Sequence, residues 1–116
     1  MPDGATASPL TFDVDVTGDV VLIRLHGKLT MGVTNLLHAR VKKLIPEHKR
    51  IVLDLSDLSH MDSSGLGTLV GLFVSARSAG CSLELINLSK RVRELLGITN
   101  LLSVFEVCGQ HGIRLP

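Results

Sequence analysis

Apolar and polar residues alternate from Leu10 to Val16, with Leu10, Phe12, Val14 and Val16 on one side and Thr11, Asp13 and Asp15 on the other. That is the period-two pattern of a strand with one buried face. Thr17-Gly18-Asp19 reads as a tight turn, and a second strand at Val20 to Leu25 completes a hairpin that ends near Gly27. Between Met31 and Ile45, Val33, Leu37, Val41 and Leu44 recur at helical spacing, Arg40, Lys42 and Lys43 take other positions, and Pro46 follows, so an amphipathic helix is expected there. Ile51-Val52-Leu53-Asp54-Leu55 is too short for a helix and rich in β-branched residues, which suits a buried central strand, with Ser56 to Met61 as a loop after it.

A second helical pattern runs from Ser64 to Ala79, with Leu66, Leu69, Val70 and Phe73 on one stripe and Gly80 as its stop. Ser82 to Ile86 reads as a strand. Ser89 suits an N-cap for a short helix that contains Val92, Leu95 and Leu96 and closes at Gly97. Thr99 to Val107 fits either helix or strand; splitting it gives a helical turn and a short strand at Phe105 to Val107. Strands and helices thus alternate after the hairpin. This predicts an α/β fold: a mixed sheet, made of the N-terminal hairpin plus parallel strands, covered by about four helices. Residues 1–9 are small, polar and Pro-containing and are expected to form a flexible arm, leaving 10–116 as a single domain.

Composition narrows the function classes. A chain of 116 residues suits one domain that buries roughly two-thirds of its unfolded surface. Its core must be aliphatic, because Trp and Tyr are absent and Phe occurs three times. Few aromatics are therefore available to stack on bases or sugars. With 12 Lys plus Arg against 11 Asp plus Glu, no strong field draws the chain to nucleic acid or an anionic membrane. Cys81 and Cys108 lie far apart without a C-x-x-C pair, no secretory leader is evident, and no apolar run approaches the length of a membrane span. Reduced thiols in a cytoplasmic protein are the expectation.

The most informative stretch is Asp62-Ser63-Ser64-Gly65-Leu66-Gly67, at the carboxyl end of a strand, where open α/β sheets tend to place functional groups. The first turn of the following helix offers free N–H groups and the positive end of the dipole, so an anion on Ser63 would be stabilised there. Helix capping alone also accounts for Asp62, Ser63 and Ser64. The helix face opposite the apolar stripe contains Thr68, Gly71, Ser75 and Ser78, small and uncharged, which suits close approach either by a partner or by another helix of the same chain.

Asp54-Leu55-Ser56-Asp57-Leu58-Ser59-His60-Met61-Asp62-Ser63-Ser64-Gly65-Leu66-Gly67 closely resembles the signature of the STAS domain of bacterial anti-sigma factor antagonists. The resemblance extends to the hairpin, Gly27-Lys28-Leu29, the strand at 51–55, Ala79-Gly80 and Asn87-Leu88-Ser89-Lys90-Arg91-Val92. It implies phosphorylation of Ser63 by a serine kinase that is also the anti-sigma factor, with release of a sigma factor while Ser63 is unmodified and a phosphatase to reset the switch. Asp62, Ser64 and Gly65 then form the switch junction, and Thr30, His60, Thr68, Gly71 and Ser75 belong to the partner-binding surface. No catalysis, cofactor, metal, nucleic acid or membrane is implied. Thr30 departs from the pattern, standing where many members carry an acidic residue after Gly-x-Leu. Contacts made through that carboxylate are not carried over, and a Thr there suits a helix cap.

Two other readings stay open: a STAS-like scaffold or interaction subunit that is never phosphorylated, as in signalling complexes or transporter tails, and a small hydrolase using Ser63. The second lacks the G-x-S-x-G setting of a nucleophile elbow. Gly65, Gly67 and Gly71 are spaced as G-x-G-x-x-x-G, which suits helix packing better than a dinucleotide fingerprint. His26, His38, His48, His60 and His111 lack metal-ligand spacing.

Overall fold

In the computed structural model, residues 10–98 and 113–114 are described. They form β1 (Leu10–Thr17), β2 (Val20–Leu29), α1 (Thr34–Leu44), a 3-10 turn (Ile45–Glu47), β3 (Arg50–Met61), α2 (Ser63–Ser78), β4 (Ser82–Ile86), α3 (Lys90–Ile98) and β5 (Ile113–Arg114). The sheet order is β1-β2-β3-β4-β5, antiparallel between β1 and β2 and parallel thereafter. The mixed sheet expected from the sequence is present, with three α-helices among the described residues against about four expected. The expected flexible arm at 1–9, and the helical turn and short strand expected within 99–107, lie outside the described residues; among the described residues β4 pairs on its outer side with β5.

Local chemistry explains where the elements turn. Gly18 has φ +61° while Asp19 does not enter the left-handed region, as in a type II′ hairpin. The Asp19 carbonyl then accepts the Lys49 and Arg50 N–H groups at 3.0 and 3.1 Å, which sets the start of β3 beside the hairpin. At the far end of α2, Gly80 (φ +75°) closes a Schellman motif in which Cys81 N–H donates to the Ala76 carbonyl at 2.8 Å and Gly80 N–H to that of Arg77 at 3.2 Å.

One face of the sheet carries the core. Ile23, Leu25, Leu53, Leu55 and Leu85 are fully covered, and α2 adds Leu69 and Leu72 while α1 adds Leu37 and Val41. Phe12 packs against this cluster, but Val14 and Val16 at the outer end of β1 are exposed. The other face is a polar ladder. Arg50 holds Glu84 through two bonds of 2.6 and 2.8 Å, and Arg24 Nε reaches Asp54 at 3.1 Å. Burial pushes the Asp54 carboxyl up, but donation from Ser56 N–H, Arg24 and Asn87 outweighs it and leaves its pKa below the ordinary value. His26, on β2 between β1 and β3, bonds Asp13 of β1 at 2.7 Å and Asp57 of β3 at 2.8 Å, fastening three strands through one ring.

Four expectations are corrected. Ser56 to Met61 is strand, not loop: β3 pairs with β2 as far as Leu29↔Met61, with register irregularities between Arg24 and His26 and between Gly27 and Lys28. Each leaves an extra residue on β3, so the inward–outward alternation fails and the polar residues there mimic a loop. The first helix begins at Thr34 because Gly32, at φ +98°, makes a turn over Met31 to Val33. Thr30 does not cap that helix; its N-cap is Val33, without a side-chain bond, and the Thr30 carbonyl accepts Val33 N–H at 3.1 Å. Gly97 does not close α3, which continues to Ile98 after the expected N-cap bond from Val92 N–H to Ser89 Oγ at 3.2 Å.

A close approach of backbone lies where α2 starts against the end of β2. A Cβ added at Gly65 would lie 2.3 Å from the Leu29 carbonyl oxygen and 2.9 Å from side-chain carbons of Leu29 and Met61. At Gly67 and Gly71 an added Cβ meets nothing within 4 Å.

Two predictions follow from this packing and from the histidine clasp. Gly65→Ala lowers stability by about 2 kcal/mol or more, because the obstacle is backbone; Gly71→Ala raises it by about 0.5–1 kcal/mol through helix propensity. Urea unfolding of the two variants checks this contrast, and equal effects would contradict the packing described. For His26, the bond to Asp13 is the first cause of a pKa raised above 6.5; burial opposes it, and the bond to Asp57 adds to the rise. The folded state then holds the proton more tightly than the unfolded chain, so the clasp stabilises fully below about pH 6.5 and less as pH rises through the raised value. Melting temperature should fall over that window, and His26→Gln should flatten this part of the profile.

Candidate functional site

Met61 ends β3 and Asp62, in extended conformation at φ −106° and ψ −175°, caps α2. One carboxylate oxygen of Asp62 accepts Gly65 N–H at 3.0 Å, and the other accepts Met31 N–H at 2.9 Å. A single side chain thus ties the first turn of α2 to the turn that follows β2. Donation from Met31, then from Gly65, holds the Asp62 carboxyl below the usual carboxylate range, so it is ionised at neutral pH. Its backbone is held as well, since Leu66 N–H donates to the Asp62 carbonyl at 3.0 Å in the first bond of the helix.

Ser63 is the first helical residue and is exposed, whereas Ser64 behind it is half-buried. As residues N1 and N2, they carry N–H groups that precede the first intrahelical bond. The exposed Ser63 hydroxyl therefore sits where the helix offers partial positive charge, next to a fixed negative one. An oxyanion attached there would meet favourable amides on one side and Asp62 on the other.

Ser63, Gly67, Gly71, Val74 and Ser78 follow one another at steps of three and four along α2 and are all exposed. Of the small residues expected on this face, Gly71 and Ser78 lie on the stripe, whereas Thr68 and Ser75 are half-buried at its flank, and Thr68 Oγ1 donates to the Ser64 carbonyl at 3.0 Å. Gly67 and Val74, the latter 57% exposed, belong to the stripe and were not singled out by side-chain type. Their exposure follows from the phase of α2 against the sheet, and Leu72 among the buried positions was the available signal. Thr30 lies next to the Met31 turn and so adjoins Asp62. His60 is exposed on β3, with Nδ1 3.2 Å from Ser59 Oγ; it pairs with its neighbour rather than with Ser63.

Cys81 is buried and free, and burial raises its thiol pKa. Cys108 lies outside the described residues. Among the described residues, no helix is long and apolar enough to cross a membrane.

Comparisons with known proteins place the chain in a family. The anti-sigma-B factor antagonist of Bacillus subtilis (strain 168) is 30% identical over 98 residues, which cover 84% of this chain and 90% of that protein. The structure of the anti-sigma factor antagonist SpoIIAA in its unphosphorylated form superposes with a TM-score of 0.72 at 26% identity, covering 91% of this chain and 88% of that one. The phosphorylated form of SpoIIAA, a Bacillus cell fate determinant, matches in fold with a TM-score of 0.68 at 24% identity, covering 91% of each chain. The family model of the STAS domain matches residues 11–112. By that match, over nearly all of its length, the chain belongs to the STAS domain family.

Proposed function

We propose that this protein is an anti-sigma factor antagonist switched by phosphorylation of Ser63. Unmodified, it binds an anti-sigma factor that is also its serine kinase and thereby frees a sigma factor. Phosphorylated, it releases that partner until a phosphatase restores the hydroxyl. The kinase brings the ATP, so the chain itself needs no cofactor and catalyses nothing, and its place of action is the cytoplasm.

The observation that carries this reading is the exposed Ser63 hydroxyl at the head of an uncovered stripe, Gly67, Gly71 and Val74, on a helix whose start is pinned by Asp62. A hydroxyl in that position is accessible to a kinase, and the small residues after it let a partner come close to the helix. Phosphate would add about −1.5 to −2 charges at neutral pH to a contact that was neutral. Similarity to anti-sigma factor antagonists supports the partner class, and the existence of SpoIIAA in an unphosphorylated and a phosphorylated form supports a phosphorylation switch in a similar protein.

The test uses a purified anti-sigma factor kinase from the same genome, with calorimetry for binding and radiolabelled ATP for transfer. Ser63→Ala should bind like the parent and take up no phosphate, while Ser64→Ala is labelled normally. Ser63→Asp should bind at least about tenfold more weakly, roughly 1.4 kcal/mol. Parent-like binding by Ser63→Asp, without labelling of the parent, would instead support a scaffold that is never phosphorylated.

A further inference from the structure

Met31 is 78% exposed, more than Val74 at 57% or Val16 at 52%. Its side chain is bare, yet its backbone is fixed from three directions. Val33 N–H donates to the Thr30 carbonyl at 3.1 Å, Gly32 sits at φ +98° as the third residue of a type II turn, and Met31 N–H is held by Asp62 Oδ2 at 2.9 Å. The turn needs Gly32 for its backbone, but nothing in it requires an apolar residue at the second position, which accepts most side chains. Folding therefore gives no reason for a methionine at this tip.

Position supplies one. The carboxylate that holds Met31 belongs to the residue before Ser63, so the bare side chain emerges one hydrogen bond from the switch junction. We propose that Met31 is the apolar anchor of the docking surface, entering an apolar pocket that the anti-sigma factor presents beside its site for the Ser63 hydroxyl. This rests on the function proposed above and deepens it. A pinned backbone removes the backbone share of the ordering cost of binding, while an unbranched thioether adapts its shape to the pocket. Anchors of this kind, central and pre-positioned, carry a disproportionate share of affinity. Gly67 and Gly71, open to solvent, add proximity and little side-chain contact of their own, which leaves the specific apolar contact to Met31 and Val74.

The experiment measures binding of the same anti-sigma factor kinase to the full chain by calorimetry. Met31→Ala should weaken it roughly tenfold or more, Met31→Leu should keep most of the affinity, and Leu36→Ala, an equally simple truncation at a 41% exposed position of α1, should change it little. In a sample with 13C-labelled methionine methyl groups, the Met31 signal should shift on complex formation. Unchanged affinity of Met31→Ala, with Ser63→Asp still releasing the partner, overturns the anchor and leaves the switch standing. A parent that binds no anti-sigma factor overturns both. Concentration-dependent self-association lost in Met31→Ala would put a second copy on this side chain and overturn the anti-sigma factor as its occupant.

Discussion

The first turn of α2 can lie against the end of β2 only because residue 65 has no Cβ. The Leu29 carbonyl oxygen occupies the space where one would stand, at 2.3 Å. That approach brings the carboxylate of Asp62 within reach of two amides, Gly65 on its own helix and Met31 on the turn after β2. Remove the close approach and the helix start, the turn and the exposed hydroxyl of Ser63 lose their common frame. The polar first turn and the aliphatic core are linked here too, since Leu66, the residue after Gly65, is already buried.

The sheet holds the other side of this frame. β3 leads straight into Asp62, and its second half, Asp57 to Met61, pairs with β2 through two irregular steps that weaken the regular ladder. His26 compensates where the first irregularity falls, bonding Asp57 on one side and Asp13 on the other. Deeper in the sheet, Arg24 with Asp54 and Arg50 with Glu84 supply partners to carboxylates that are almost wholly buried, which an aliphatic core alone would leave at a cost of several kcal/mol each. The polar face of the sheet is therefore part of what aims β3 at the site.

Much of this was legible in sequence because it rests on local chemistry. The hairpin, the strand Ser82–Ile86, the cap at Ser89 and the helix after Asp62 each follow from residues within a few positions of one another. The failures share a cause. Ser56 to Met61 looked like loop because two extra residues break a period-two pattern, and only the partner strand reveals the pairing. Asp62 was readable as a cap but not as the tie to Met31, which is 31 residues away in the chain. Gly65 was noted for its place in a motif, whereas its obligation to be glycine depends on Leu29. The small-residue face was placed with Thr68, Gly71, Ser75 and Ser78 because small side chains were counted; Gly71 and Ser78 are exposed together with Gly67 and Val74, whereas Thr68 and Ser75 are half-buried. His26 had no local signal at all, since Asp13 and Asp57 reach it only through strand register.

The frame also limits what a charge on Ser63 could do. None of the hydrogen bonds described at the junction uses the Ser63 hydroxyl: they run from Met31, Gly65 and Leu66 to Asp62, and from Asp62 N–H to the Leu29 carbonyl at 3.4 Å. A phosphate there would break none of them, so its effect would be exerted through its field and its bulk. Fields between exposed charges fade over a Debye length of about 8 Å at physiological salt. With a rise of about 1.5 Å per residue, Gly67 lies about 6 Å along the helix from Ser63, Val74 about 16 Å and Ser78 about 22 Å. Only the first turn of the stripe, together with the Met31 turn joined to Asp62, would feel the charge strongly. A partner resting mainly on the far end of α2 would be indifferent to phosphorylation, so a docking surface under the control of Ser63 must concentrate its affinity at the near end, where Asp62 holds both sides together.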